Sequence, residues 1–240
     1  MRSFAFSMLG LVLVACAPKA DPTPAGPPAA TAAAPAASAT TPSAPAAPPT
    51  ASSPKPSAPK PTPTAEPDTS DMACLASAAP GTFYALSTKT LGDDLPYGLC
   101  NLKGKVVLVV NTASFCGYTP QLETLEPLYQ AKRASGLVVA GFPSQSFQQE
   151  FDSGAEAKDF CSKRGVTFPM FELGDVKGPN IIPVFSWLTT QPVSPGEIQW
   201  NFEKFLISRK GTLIARFATA TDPTDPTLVA AIDAALAESP

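Results

Sequence analysis

The stretch KVVLVVNTASFCGYT, residues 105–119, decides the fold. Its core, Val106–Val110, is an unbroken run of branched apolar side chains, the composition of a strand buried on both faces of a parallel sheet. Small and polar residues follow, Asn111-Thr112-Ala113-Ser114, and then Phe115, Cys116 and Gly117. Thr119-Pro120 marks a helix start, a capping side chain followed by proline at the first helical position. Cys116 is therefore expected at the carboxyl end of a central strand and beside a helix N-terminus. Open α/β sheets form their sites there, and the helix end stabilises a thiolate.

Downstream, Leu122, Leu125, Leu128 and Tyr129 share one helical face, Lys132 and Arg133 fill the last turn, and Gly136 is the stop. Pro127 lies inside this pattern, where a proline kinks a helix or delays its start. Leu137–Phe142 is a second buried strand, completing a right-handed βαβ unit. Asp152-Ser153 can cap a helix over Gly154–Lys163, Thr167–Phe171 is a short extended segment, and Ile182–Thr189 is helical. Ile198–Ser208 and Gly211–Phe217 are two strands joined by a hairpin around Arg209-Lys210-Gly211, and Thr227–Glu238 is a last helix. Upstream, Thr82–Thr90 alternates loosely and is expected as a strand, with a turn at Gly92-Asp93-Asp94. The order β-α-β-α-β-β-α, with a cysteine at the first strand-to-helix junction, is thioredoxin-like: an α/β fold whose central mixed sheet is flanked by helices.

Residues 1–73 stand apart from this pattern. One positive charge at Arg2, an apolar run from Phe4 to Val14, and Leu13-Val14-Ala15-Cys16 resemble a bacterial lipoprotein signal peptide over residues 1–15. In such signals the cysteine that ends the box, here Cys16, is lipidated after cleavage. Ala17 in place of an aspartate then favours the outer membrane, facing the periplasm. The apolar run is too short to span a bilayer, which takes about 20 residues. Residues 16–73 are mostly Ala, Pro, Thr and Ser, with sixteen of the 29 prolines, so they cannot bury enough apolar surface to fold and are expected as a disordered tether. Residues 74–240 are long enough for one substantial core.

Composition excludes several functions. The net charge is −3 with no basic stripe, which argues against nucleic acid. The chain has no histidine, which removes Ser-His-Asp and Cys-His catalysis and histidine-held zinc, copper or haem. No cofactor or metal is called for.

Five separated motifs carry a resemblance. They are Asn111–Thr119, Gly141-Phe142-Pro143, Phe147-Gln148-Gln149-Glu150, Val166–Phe171 and Trp200–Leu206. In this order they are similar to glutathione peroxidases, from about Thr82 to the C-terminus. The resemblance implies a thiol peroxidase that reduces hydrogen peroxide and organic or lipid hydroperoxides. Its peroxidatic residue would be Cys116, in the place of the selenocysteine of some members. Gln149, Trp200 and Asn201 would supply neutral N–H donors that never titrate and that stabilise the thiolate and the developing oxyanion. The loop before Gln149 is one residue short of the family's pattern, which leaves Gln145 as the alternative glutamine.

The product at Cys116 is a sulfenic acid. Cys161 matches a resolving cysteine of several thiol-type members; its alternative is a small buried apolar residue on a helix face. A Cys116–Cys161 disulfide would be reduced by a thioredoxin-like protein or a small thiol. Ser144 stands where many members have a second cysteine, and Phe115 where many have lysine or glutamine. Cys74 and Cys100 remain, and an oxidising compartment favours a structural disulfide between them. The segment before Trp200 lacks the assembly loop of tetrameric members, which implies a monomer or loose dimer. Two other readings compete: a disulfide oxidoreductase, disfavoured because Cys116-Gly-Tyr-Thr119 lacks the second cysteine of CxxC, and a copper-delivery lipoprotein, disfavoured by the missing histidine.

Overall fold

The computed structural model describes residues 69–239, with side chains from residue 73; the expected signal peptide, the lipidated Cys16 and most of the tether lie outside the described residues. Helix α1 (Thr69–Ser77) comes first, then a small hairpin of β1 (Ser87–Lys89) and β2 (Pro96–Gly98). The main sheet has the order β4-β3-β5-β6, made of β3 (Val106–Thr112), β4 (Leu137–Pro143), β5 (Lys204–Ile207) and β6 (Leu213–Phe217). β3 pairs parallel with β4 and antiparallel with β5, and β5 pairs antiparallel with β6. Four helices complete the chain: α2 (Leu122–Lys132), α3 (Gly154–Lys163), α4 (Pro183–Thr190) and α5 (Pro226–Ala237). This is the thioredoxin-like arrangement.

Every residue of β3 is buried, and its alternation divides the core. Val107 and Val109 face a cluster with Phe142, Phe185, Phe205 and Ile207. Val106, Leu108 and Val110 face a second cluster with Leu122, Leu125, Leu206, Leu228 and Ile232. An apolar run without polar interruption is what a strand with two apolar faces needs. In α2, Glu123 and Pro127 are both exposed. The proline thus sits on the outer face, and the carbonyl it leaves without a donor can turn to water. Gly141 is required by a close approach: a Cβ there would lie 2.3 Å from Met170 Sδ, where the 169–171 segment bonds against β4.

Two expected strands are shorter than their patterns. Residues 83–85 form a 3-10 turn, because Phe83 is buried and its N–H is taken by Gly211 O, so only Ser87–Lys89 of Thr82–Thr90 is strand. Of Ile198–Ser208 only Lys204–Ile207 is strand, since Phe202 takes a left-handed φ of 63° that ends any extended run. The helix expected to start at Thr119 opens instead as a 3-10 turn, Thr119–Gln121, and becomes α-helical at Leu122. Cys74 and Cys100 form a disulfide with a Cα–Cα distance of 5.7 Å, joining α1 to the 3-10 turn Leu99–Leu102.

Candidate active site

Cys116 lies four residues past the end of β3, 6 % exposed and unpaired. Its sulfur accepts the Tyr118 N–H at 3.4 Å, an amide of the turn that leads into α2. Thr119 holds the loop closed. Its hydroxyl accepts the Cys116 N–H at 3.1 Å and lies within hydrogen-bond reach of Ala113 O (2.8 Å) and Cys116 O (2.7 Å). Thr119 therefore occupies the place that would hold the second cysteine of CxxC, and it is fully engaged in shaping the loop.

Two other segments meet this loop. From beyond β4, Gln149 accepts the Phe115 N–H on its carbonyl at 2.9 Å, next to Cys116 in the chain. From ahead of β5, the Asn201 amide donates to Gln149 Oε1 at 3.0 Å. Gln145 turns elsewhere: it donates to Glu150 O and Asp152 Oδ1 and accepts the Glu150 N–H. Of the two candidate glutamines, Gln149 is the one in contact with Asn201, while Gln145 braces the loop that carries it.

The Trp200–Asn201 turn is held by Asn111 at the end of β3. Asn111 donates to Trp200 O at 3.0 Å and accepts the Glu203 N–H at 2.9 Å, and its carbonyl accepts the Phe202 N–H. Glu203 in turn accepts the Gln199 N–H and pairs with Arg216. The Trp200 ring, 40 % exposed, packs on Phe147 with centroids 5.0 Å apart. Neither the Trp200 indole N–H nor the Gln149 side-chain NH2 has a protein acceptor among the described residues, and Asn201 Oδ1 is buried without a partner. The segments bonded to this loop and to the end of β3 thus keep side-chain hydrogen-bonding groups uncommitted, while the loop's own backbone is bonded.

Cys161 is placed apart, on α3. It is a free, buried thiol lining a cavity of ≈ 290 Å³ with Leu91, Phe168 and Met170 among its walls. Burial pushes the Cys161 thiol up to about 12; the charge of Glu150 adds to this and Arg164 opposes it. Glu150 is itself buried, which raises its carboxyl pKa against the opposing bonds from Ser114 and Phe151. Lys204 is buried beneath the turn that ends at Gln121, its ammonium donating to Gln121 Oε1, Thr219 O and Thr221 O. Burial pushes Lys204 down to about 8, with Asp222 and Glu203 opposing.

Two supporting residues, Asn111 and Lys204, had no assigned part in the sequence, and Thr119 was expected only as a helix cap. Their signal was present, as polar residues inside an apolar strand and in the turn beside a cysteine. Polar groups in such places are retained with partners. The described residues hold no cluster of three or more Cys, Asp or Glu suited to a metal ion.

The sequence model of a family described as glutathione peroxidase matches residues 83–189. The chain is 47 % identical over 145 residues to a glutathione peroxidase-like peroxiredoxin of Schizosaccharomyces pombe, spanning 59 % of this chain and 91 % of that one. It is 42 % identical over 161 residues to a hydroperoxy fatty acid reductase of Synechocystis, spanning 62 % of this chain and 94 % of that one. Among solved structures, the apo form of Trgpx superposes with a TM-score of 0.54 at 34 % identity, covering 67 % of this chain and 99 % of that one.

Proposed function

The chain belongs to the glutathione peroxidase family, and on that premise we propose that it is a thiol peroxidase in which Cys116 reduces hydrogen peroxide and organic hydroperoxides, lipid hydroperoxides included, to water and alcohols. The observation that carries the assignment to these residues is the pair of uncommitted donors, Gln149 Nε2 and Trp200 Nε1, on segments bonded to the Cys116 loop and to the end of β3. The Cys116 thiolate attacks one peroxide oxygen and the O–O bond breaks. The sulfur is oxidised to sulfenic acid, and the leaving alkoxide or hydroxide takes up a proton. Fixed neutral donors lower the cost of charge growing on that oxygen without themselves changing protonation.

Cys161 then attacks the sulfenic sulfur, its proton leaves with the hydroxyl as water, and a Cys116–Cys161 disulfide remains. Support for this step comes from two free cysteines within one domain and from the packing of α3 against the Cys116 loop through Phe115 and Phe160. The buried, high-pKa thiol of Cys161 is inert at rest, so it engages only once α3 yields toward the oxidised sulfur. A thioredoxin-like dithiol returns the pair to thiols. The Leu13-Val14-Ala15-Cys16 box supports a lipid anchor at the cell envelope, with the residues between Cys16 and α1 as tether to a monomeric domain.

The test is loss of tert-butyl hydroperoxide when the purified protein is supplied with thioredoxin, its reductase and NADPH. Turnover no greater than that of Cys116→Ser overturns the assignment. Mass mapping after one equivalent of peroxide shows a Cys116–Cys161 bond if Cys161 resolves, and a sulfenic or sulfinic acid with Cys161 free if it does not.

A further inference from the structure

Beside the reacting sulfur a phenylalanine is left facing solvent. Phe115 immediately precedes Cys116 and is 59 % exposed, the most exposed large apolar side chain among the described residues. It is held in place. Its N–H donates to Gln149 O, its ring meets Phe151 edge-on with centroids 4.6 Å apart, and Phe160 lies at 6.3 Å. Phe151 and Phe160 also meet edge-on, at 5.8 Å. The three rings lead from Phe115, the neighbour of Cys116 in the chain, into an open cleft of ≈ 420 Å³ on α3, lined by Phe151, Ala155, Glu156, Asp159, Phe160 and Lys163.

Building on the peroxidase reading, we infer that Phe115, Phe151, Phe160 and this cleft form a subsite for the hydrocarbon chain of an organic hydroperoxide, which sets a preference for long-chain over small substrates. The chemistry of the walls selects that occupant. Lys163 is paired with Asp159 at 2.6 Å, and the Arg164 guanidinium, stacked over Phe160 at 4.5 Å, also reaches Glu123. The cations at the rim are thus matched by carboxylates, and Glu156 leaves the cleft without a positive surplus to attract an anionic thiol. What remains is apolar ring surface, continuous with the residue beside the nucleophile, and methylenes are what such surface removes from water. A chain lying along the rings places its hydroperoxide end at Cys116. Each methylene seated is worth about a four-fold gain in kcat/KM.

The test compares kcat/KM for hydrogen peroxide, n-butyl hydroperoxide and n-octyl hydroperoxide, with the reductant saturating, in the wild type, Phe115→Ser and Phe160→Ser. The expected result is a rise with chain length in the wild type and an octyl-to-hydrogen-peroxide ratio at least about ten-fold lower in Phe115→Ser, with a smaller fall in Phe160→Ser. Equal kcat/KM for all chain lengths in the wild type overturns the subsite, and this arm stands even if a variant does not fold. An equal fall on all peroxides, or an unchanged ratio with a raised KM for thioredoxin, also overturns it, the latter because the wall would then dock the reductant. Failure of the wild type to turn over any of the three peroxides is a separate result that sinks the peroxidase reading itself.

Discussion

Replacing Lys204 by methionine should change how the protein's stability depends on pH. Lys204 is fully buried on β5, with its ammonium bonded to Gln121 Oε1 at 2.5 Å, Thr221 O at 2.6 Å and Thr219 O at 3.2 Å. Burial outweighs the help of Asp222 and Glu203 and lowers its pKa from 10.5 to about 8. Between these two values the unfolded chain binds more protons than the folded one, so stability rises with pH across that window. For a single group with a folded pKa of about 8 and an unfolded pKa of about 10.4, the gain from pH 7 to about 9.5 is roughly 2 kcal/mol. Lys204→Met cannot show this gain. It is also less stable at every pH, because Gln121 Oε1 and Thr221 O lose their donor, while Thr219 O keeps only that of Gln121 Nε2. The assay is urea unfolding of both proteins at several pH values from 7 to 9.5, and the readout is the difference in unfolding free energy. Tyr84, raised by burial to about 12, acts in the opposite direction: stability falls only above its ordinary pKa of 10, and the residue is common to both proteins. A difference that stays flat or shrinks over this range refutes the reasoning, because Lys204 would then titrate as it does in water.

Other perturbations have definite expectations. Asn201→Ala removes the amide that holds Gln149 Oε1, and kcat/KM for tert-butyl hydroperoxide should fall by about a hundred-fold, on the scale of losing one fixed donor. Iodoacetamide at pH 8 should label Cys116 in the folded protein and leave Cys161 untouched, with Cys161 reacting only after urea is added; peptide mass mapping reads both. Cys100→Ser opens a disulfide that spans 26 residues and should cost about 3 kcal/mol in chemical unfolding, with hydroperoxide turnover retained where the domain stays folded. Gly141→Ala drives a methyl against Met170 Sδ and should lower stability by about 1–3 kcal/mol, seen as a lower thermal midpoint.

The elements that can be read from sequence are those whose pattern is their own cause. Val106–Val110 is apolar at every position because both faces of β3 are covered, and Leu122 and Leu125 recur at helical spacing because one face of α2 is buried. The Trp200–Asn201 turn could not be read in this way. Residues 198–208 have strand composition, but the chain leaves the sheet at 199–203 because Asn111, from a strand ninety positions earlier, takes up its backbone groups. The pattern over Thr82–Thr90 failed similarly: Phe83 is drawn into the core against the 211 turn, a contact no local period announces.

The sequence alone determined the central strand, the cysteine at its end and the βαβ unit around it, because hydrophobic period and chain direction are local properties. It also narrowed the chemistry, since a chain without histidine has no Ser-His-Asp or Cys-His catalysis. Only the tertiary structure brought Gln149, and not Gln145, against Asn201, a contact made across 52 residues of chain. It alone buried Cys161 against a separate open cleft and set Phe115 against Phe151 and Phe160. Those facts depend on distances between segments far apart in the chain, and such distances exist only once the sheet has closed around its two cores.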